Sequence, residues 1–154
     1  MKDLSTYLNE VRLSDLKRNV SINKYNYHPK DRVELGKLVV QLIKERGNDA
    51  DLNDIDTSAV TNMDMVFHAT SFIGDISEWN TSNVTSMYSM FQRCPFNGDI
   101  SNWDVSKVKD MRYMFCNSKF DGDISDWKVS GNCDKYMMFD RCPLKKHLPE
   151  WYKK

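Results

Sequence analysis

Apolar side chains recur at a fixed step of 24 residues through most of the chain. Tryptophan stands at Trp79, Trp103, Trp127 and Trp151, and phenylalanine at Phe67, Phe91, Phe115 and Phe139. Phe72, Phe96, Phe120 and then Leu144 keep the same interval, as do Ile76, Ile100, Ile124 and then Leu148. Val60, Val84 and Val108, Met63, Met87 and Met111, and Gly74, Gly98 and Gly122 complete the columns. A fixed period of this length marks a repeat architecture in which each unit buries its apolar face against its neighbours. Within a unit the pattern changes midway. Met87, Met90 and Phe91 fall at i, i+3 and i+4, one face of a short helical turn, whereas Asp99-Ile100-Ser101-Asn102-Trp103 has no helical period and reads as a short extended piece. Gly98 before it supplies a turn, or room for a close backbone approach.

Full units run over 56–79, 80–103, 104–127 and 128–151, preceded by a partial one at Asp51–Ile55, so the repeat body occupies 51–151. The last unit departs from the pattern, with Asn132 in the valine column, Lys135 in the methionine column and His147 in the aspartate column. Together with Pro143 and Pro149 this reads as a C-terminal cap that protects an open edge, leaving 152–154 as a tail. Residues 1–50 form a helical head and N-terminal cap. Leu4, Tyr7, Leu8, Val11 and Leu16 give 3–18 an amphipathic helical pattern, and 19–28 reads as a loop. A firmer helix is predicted from Pro29 or Asp31 to Arg46, with Asp31 and Glu34 at capping-box spacing and Gly47 at its end. Its apolar face carries Val33, Leu35, Leu38, Val39, Leu42 and Ile43.

Lys plus Arg equals Asp plus Glu, 22 of each, so no net field directs the chain to nucleic acid or to an anionic membrane. No apolar run approaches the roughly 20 residues that span a bilayer, and the N-terminus lacks a signal-peptide core, so a cytoplasmic location is expected. The cysteines agree. Cys94 and Cys142 share a repeat position two units apart, roughly 10 Å at parallel-strand spacing and too far for a disulfide, and no zinc-ligand spacing appears, so free thiols are expected. The Asp75, Asp99, Asp123 and Ser77, Ser101, Ser125 columns are expected to bond the backbone of adjoining units. His28, His68 and His147 are scattered, and no phosphate-cradling loop, nucleophile elbow or HExxH is present. No catalytic residue, cofactor or metal ligand is nominated, and an enzyme is not expected.

Units such as FNGDISNWDVSKVKDMRYMF, Phe96 to Phe115, resemble the BspA-like repeats, the mycoplasma-lipoprotein type of leucine-rich-like repeat, over roughly 51–151. The resemblance implies an α/β fold: a leucine-rich-repeat-like, right-handed solenoid of short parallel strands and short helical turns with an N-terminal helical cap. It also implies a non-enzymatic role in binding or adhesion. The short form with a helical head, without a leader, is similar to proteins encoded by tailed phages and prophages. Specificity in such a repeat lies where the outward positions vary. Asp64-Met65, Tyr88-Ser89, Arg112-Tyr113 and Tyr136-Met137 would stack into a ridge of residue types that anchor protein interfaces, flanked by the columns of His68, Gln92, Cys116, Asp140 and of Ala69, Arg93, Asn117, Arg141. Met65, Tyr88, Arg93, Arg112, Tyr113, Tyr136 and Met137 are therefore the candidate residues for binding a protein partner. Binding is expected through this exposed repeat face or through the helical head; one concrete form is a phage-encoded inhibitor of a host defence protein, and the alternatives are a virion structural or decoration component and a bacterial surface adhesin.

Overall fold

The computed structural model describes residues 24–153 of the chain. Among these the one α-helix is α1 (Arg32–Arg46). Asp31 begins it in an extended conformation, its carboxylate accepting from the backbone of Val33 and Glu34, while Gly47 ends it at φ 98° and donates to Ile43 O. Glu34 reaches back to the N–H of Lys30, one residue before the partner a capping box would give it. Leu35, Val39 and Leu42 are buried, Leu38 and Ile43 partly so, and Val33 is 52% exposed, so the apolar stripe is narrower than the sequence pattern predicts. Arg46 fixes the helix to the repeats through a two-pronged bond to Asp54, 3.0 Å at each nitrogen, and a further bond to Asp51 O. The segment expected as a loop contributes a pairing of its own, since Tyr27 bridges Ile55. The amphipathic pattern of 3–18 lies outside the described residues. No helix among the described residues is long and apolar enough to cross a membrane.

One small device recurs within each unit. An Asp or Asn side chain accepts the N–H two residues on, and the following turn closes by an i to i+3 backbone bond. Asp99 accepts from Ser101 N while Trp103 N donates to Ile100 O. Asp104 accepts from Ser106 N while Val108 N donates to Val105 O, and Asp110 accepts from Arg112 N while Met114 N donates to Met111 O. The aspartate column Asp75, Asp99, Asp123 therefore bonds Ser77, Ser101 and Ser125 inside its own unit, not the adjoining units as expected. Donation by these serine N–H groups holds all three carboxyls below the usual range.

Between units the turn segment forms a ladder that donates in one direction, with single return bonds from Thr85, Lys109 and Asp134 to the carbonyls of Thr61, Thr85 and Lys109. Met63, Met65, Phe67 and Ala69 donate to the carbonyls of Ser86, Tyr88, Met90 and Gln92 at 2.9 to 3.0 Å. Met87, Ser89, Phe91 and Arg93 repeat this toward the third unit, and Met111, Tyr113, Phe115 and Asn117 toward the fourth. Only alternate residues cross, because Met65, Ala69, Ser89, Arg93, Tyr113, Asn117, Met137 and Arg141 all hold positive φ, between 52° and 60°. These left-handed residues turn each intervening peptide so that its N–H closes a local turn, as in Met90 N to Met87 O. The expected parallel-strand solenoid with helical turns is corrected here. Among the described residues no strand or sheet forms, only single-residue parallel bridges such as Asn62–Ser86 and Ser86–Asp110, and the Met87–Phe91 stretch is a pair of turns. The i, i+3, i+4 spacing was satisfied by a backbone that alternates hand, which a helix cannot do.

The apolar columns fill the interior as one core that runs from Leu35 to Leu144. Phe67, Phe91, Phe115 and Phe139 stack face to face at 5.4, 5.5 and 5.8 Å. Trp79, Trp103, Trp127 and Trp151 each donate Nε1–H to a carbonyl of the preceding unit, those of Leu52, Ile76, Ile100 and Ile124. Gly74 is held by close approach: a Cβ there would lie 2.0 Å from Ala50 O. The four cysteines are buried and unpaired, and burial pushes the Cys133 thiol up to about 11. Two short 3-10 turns, Pro143–Lys146 and Glu150–Tyr152, follow the last ladder segment, where Trp151 and Tyr152 pack on Phe139.

Two outcomes follow. Trp103→Ala, which empties a site stacked on Trp79 and Phe91, should cost about 3–5 kcal/mol and lower the thermal midpoint by roughly 10 °C. Trp103→Phe, which keeps a ring but orphans the Ile76 carbonyl, should fall between; unfolding followed by circular dichroism distinguishes them. Because the folded pKa values of Asp75, Asp99 and Asp123 are depressed, their contribution is complete above the unfolded value near 4 and is lost as pH falls through the lower folded values. Asp99→Asn keeps the acceptor and removes the charge, as Asn80 already does at the device's second position, where it accepts from Ser82 N. It should melt within a few degrees of the parent at pH 7 and lose less stability on acidification below about pH 4.

Candidate functional site: a tyrosine and arginine ridge

Outward positions of the turn segment gather into a continuous cluster. Tyr88 and Tyr113 meet edge to face with centroids 6.0 Å apart, and Tyr113 meets Tyr136 in the same way at 5.6 Å. The Arg112 guanidinium lies 5.3 Å from the Tyr88 ring centre, near enough for cation–π attraction. Arg112 and Tyr136 each sit on a turn set by the acid two residues before. Asp110 accepts from the backbone of Arg112 and from its side chain at 2.6 Å, and Asp134 accepts from Tyr136 N. In the second unit, where Ser86 stands in place of an acid, the carboxylate of Asp64 from the unit before accepts both Tyr88 N and the Ser86 hydroxyl.

These pairings fix charge as well as shape. The Arg112 guanidinium holds Asp110 well below the usual carboxylate range, and Asp134 lies 3.7 Å from the same guanidinium. Desolvation first, and the neighbouring Tyr136 phenol second, raise the Tyr113 phenol above its ordinary value. Tyr136 is 60% exposed, and Tyr88, Arg112 and Tyr113 are half-buried. The cluster thus offers aromatic edges and a positioned cation to solvent.

Of the residues nominated from sequence, the structure brings Tyr88, Arg112, Tyr113 and Tyr136 into mutual contact. Met137 is exposed beside Tyr136, and Met65 is exposed in the first unit. Arg93 is exposed on the neighbouring column, and among the described residues no ring contact or ion pair ties it to the tyrosines. Ser89 does not belong to the ridge. It is buried, with a hydroxyl that has no partner among the described residues. Cys116, placed by the repeat in a flanking outward column, is buried too. The positive φ shared by Met65, Ser89, Tyr113 and Met137 recurs in every unit, so it belongs to the ladder and not to the site.

The residues missed from sequence are the orienting acids Asp110 and Asp134, whose signal is an acid two positions before an exposed aromatic or arginine; Asp64, placed in the ridge by its column, orients Tyr88 in the next unit. Two further pairs were also missed because their partners are distant in sequence: His147 Nε2 with Asp121 at 2.9 Å and His28 Nδ1 with Asp56 at 3.2 Å. Comparison with curated proteins and with solved structures yields no match. The family described as Mycoplasma protein of unknown function, DUF285, matches residues 38–151, a span that takes in most of α1, all four units and every member of the ridge, and the chain belongs to that family.

Proposed function

We propose that the protein is a non-catalytic interaction module that binds a partner protein through the Tyr88–Arg112–Tyr113–Tyr136 ridge. The observation that carries this reading is that three successive units each contribute to one contiguous array of outward aromatic rings around an oriented arginine. Tyrosine supplies large contact area with few rotatable bonds to immobilise, arginine supplies directed hydrogen bonding, and both are enriched among the residues that dominate the energetics of protein interfaces. Arg112 is already held by Asp110 and the Tyr88 face, so less side-chain freedom is lost on docking than for an unrestrained surface arginine. Met65 and Met137 add deformable apolar contact at either end.

The similarity to BspA-like repeats and to short phage- and prophage-encoded forms supports the finer version: the protein acts in the cytoplasm of a bacterial host, where the ridge covers a working surface of a defence protein. A virion component or an envelope adhesin would use the same ridge against a different partner. The test compares capture of a partner from a host lysate by the parent chain and by variants carrying Tyr113→Ala, Tyr136→Ala or Arg112→Ala. Each substitution should reduce recovery about tenfold or more, as loss of an interface anchor does, with the thermal midpoint shifted by no more than a few degrees. Undiminished recovery by all three would exclude the ridge. The identity of the captured protein then separates the defence, virion and envelope versions.

A further inference from the structure

Along the turn segment the ladder donates in one direction, and it leaves a row of donors over. Each unit donates from alternate residues of its turn segment to the carbonyls of the next, and unit 128–151 places Lys135, Met137, Phe139 and Arg141 in the position of Met111, Tyr113, Phe115 and Asn117. Among the described residues none of these four N–H groups has a backbone acceptor. The other end is closed differently. Val39, Leu42 and Ile43 of α1 stand 24 residues before Met63, Val66 and Phe67, so a helix occupies the place of a preceding ladder segment and satisfies its own backbone. At the C-terminal end, Tyr152 and Trp151 cover the Phe139 ring but do not supply acceptors to the row.

We propose that this row is a second docking site, which receives an extended acidic segment of a partner protein. Three features specify that occupant. Alternate carbonyls of an extended chain all face one way at a regular spacing, so such a segment can serve a row of alternate N–H donors, much as a peptide is added to a sheet edge. The row and the turn after it carry Lys135, Arg141, Lys145 and Lys146, and the acids near them are already engaged, Asp140 by Lys145 at 2.8 Å and Arg141 at 3.8 Å, Asp134 by Tyr136 N and Glu150 by Lys153, so the edge favours negative charge. Beside it Met137, Phe139, Leu148 and Tyr152, with the paired Asp140 and Lys145, line a cavity of about 120 Å³, space for one aliphatic side chain. A second copy of this chain fits poorly. Its own carbonyl row in the first unit lies at the end that α1 closes, and two C-terminal edges would set donors against donors.

The row shares Met137 with one end of the ridge, but the proposal does not rest on the ridge's tyrosines and arginine and is tested apart from them. The full-length chain, labelled with ¹⁵N, is titrated with a ten-residue alternating Glu-Val peptide and, in parallel, with a Lys-Val peptide. The Glu-Val peptide should move the amide signals of Lys135, Met137, Phe139 and Arg141 and slow their exchange with solvent about tenfold or more, while the Lys-Val peptide leaves them in place. The double substitution Arg141→Glu, Lys146→Glu should weaken binding about tenfold or more with the thermal midpoint unchanged, and Tyr88→Ala should leave it intact. Equal response to both peptides, shifts confined to the ridge, or amides already as protected in the free chain as those of Met111 and Tyr113 would each overturn the proposal. Protection of the row by self-association at rising protein concentration would overturn it in favour of a second copy.

Discussion

The structure depends on a backbone constraint: only alternate N–H groups cross from one unit to the next, and the residues between them must fold their own N–H back into a turn. That requirement forces left-handed backbone at Met65, Ser89, Tyr113 and Met137 and again at Ala69, Arg93, Asn117 and Arg141, none of them glycine. Left-handed conformation costs a side-chain-bearing residue roughly 1–2 kcal/mol, so eight such residues are tolerable only where each also completes a crossing bond or a buried turn. Once the alternation is set, side-chain direction is set with it. Met63, Val66 and Phe67 turn inward, as do Met87, Met90 and Phe91 and then Met111, Met114 and Phe115, while the Met65 column turns outward at Met65, Tyr113 and Met137 and inward at Ser89.

Side-chain acceptors do in the corners what the ladder does along the edge. The aspartates and asparagines that precede each turn hold N–H groups that no neighbouring unit can reach, which leaves little buried polarity without a partner. Thr57 and Thr81 extend the same economy across units, donating their hydroxyls to the carbonyls of Asn80 and Asp104. Val105 and Val129 take that column onward without a hydroxyl, which shows that the crossing bond at this position is dispensable where apolar contact replaces it. Cys94 and Cys142 occupy a parallel column, bonding the carbonyls of Phe72 and Phe120, so the thiols serve as small polar struts.

What sequence made legible was whatever obeys spacing. The 24-residue columns located the core, Asp31 and Gly47 located the ends of α1, and the variable outward pairs located Tyr88, Arg112, Tyr113 and Tyr136. Backbone conformation was not legible, because methionine, tyrosine and arginine carry no preference for left-handed geometry and an i, i+3, i+4 pattern is shared by a helix and by a pair of turns. The extended piece at Asp99–Trp103 was misread for a related reason. Inward Ile100 and Trp103, three residues apart behind an Asp-x-Ser corner, fit a capped turn, and the bonds from Ser101 N to Asp99 and from Trp103 N to Ile100 O decide for it. The inward turn of Ser89 and Cys116 was invisible because small side chains fit either face.

The constancy of the repeat has a kinetic consequence. Bonds between units join residues a near-constant distance apart in sequence, as in Met63 to Ser86, Lys109 to Thr85 and Trp103 to Ile76. Closing a loop of that length costs about 3 kcal/mol in chain entropy beyond a fixed term, and the cost is the same for each added unit. No contact in the repeat body waits on the meeting of its distant ends. Folding can therefore begin at any adjacent pair of units and extend in either direction, with each new turn of chain templated on the one before it.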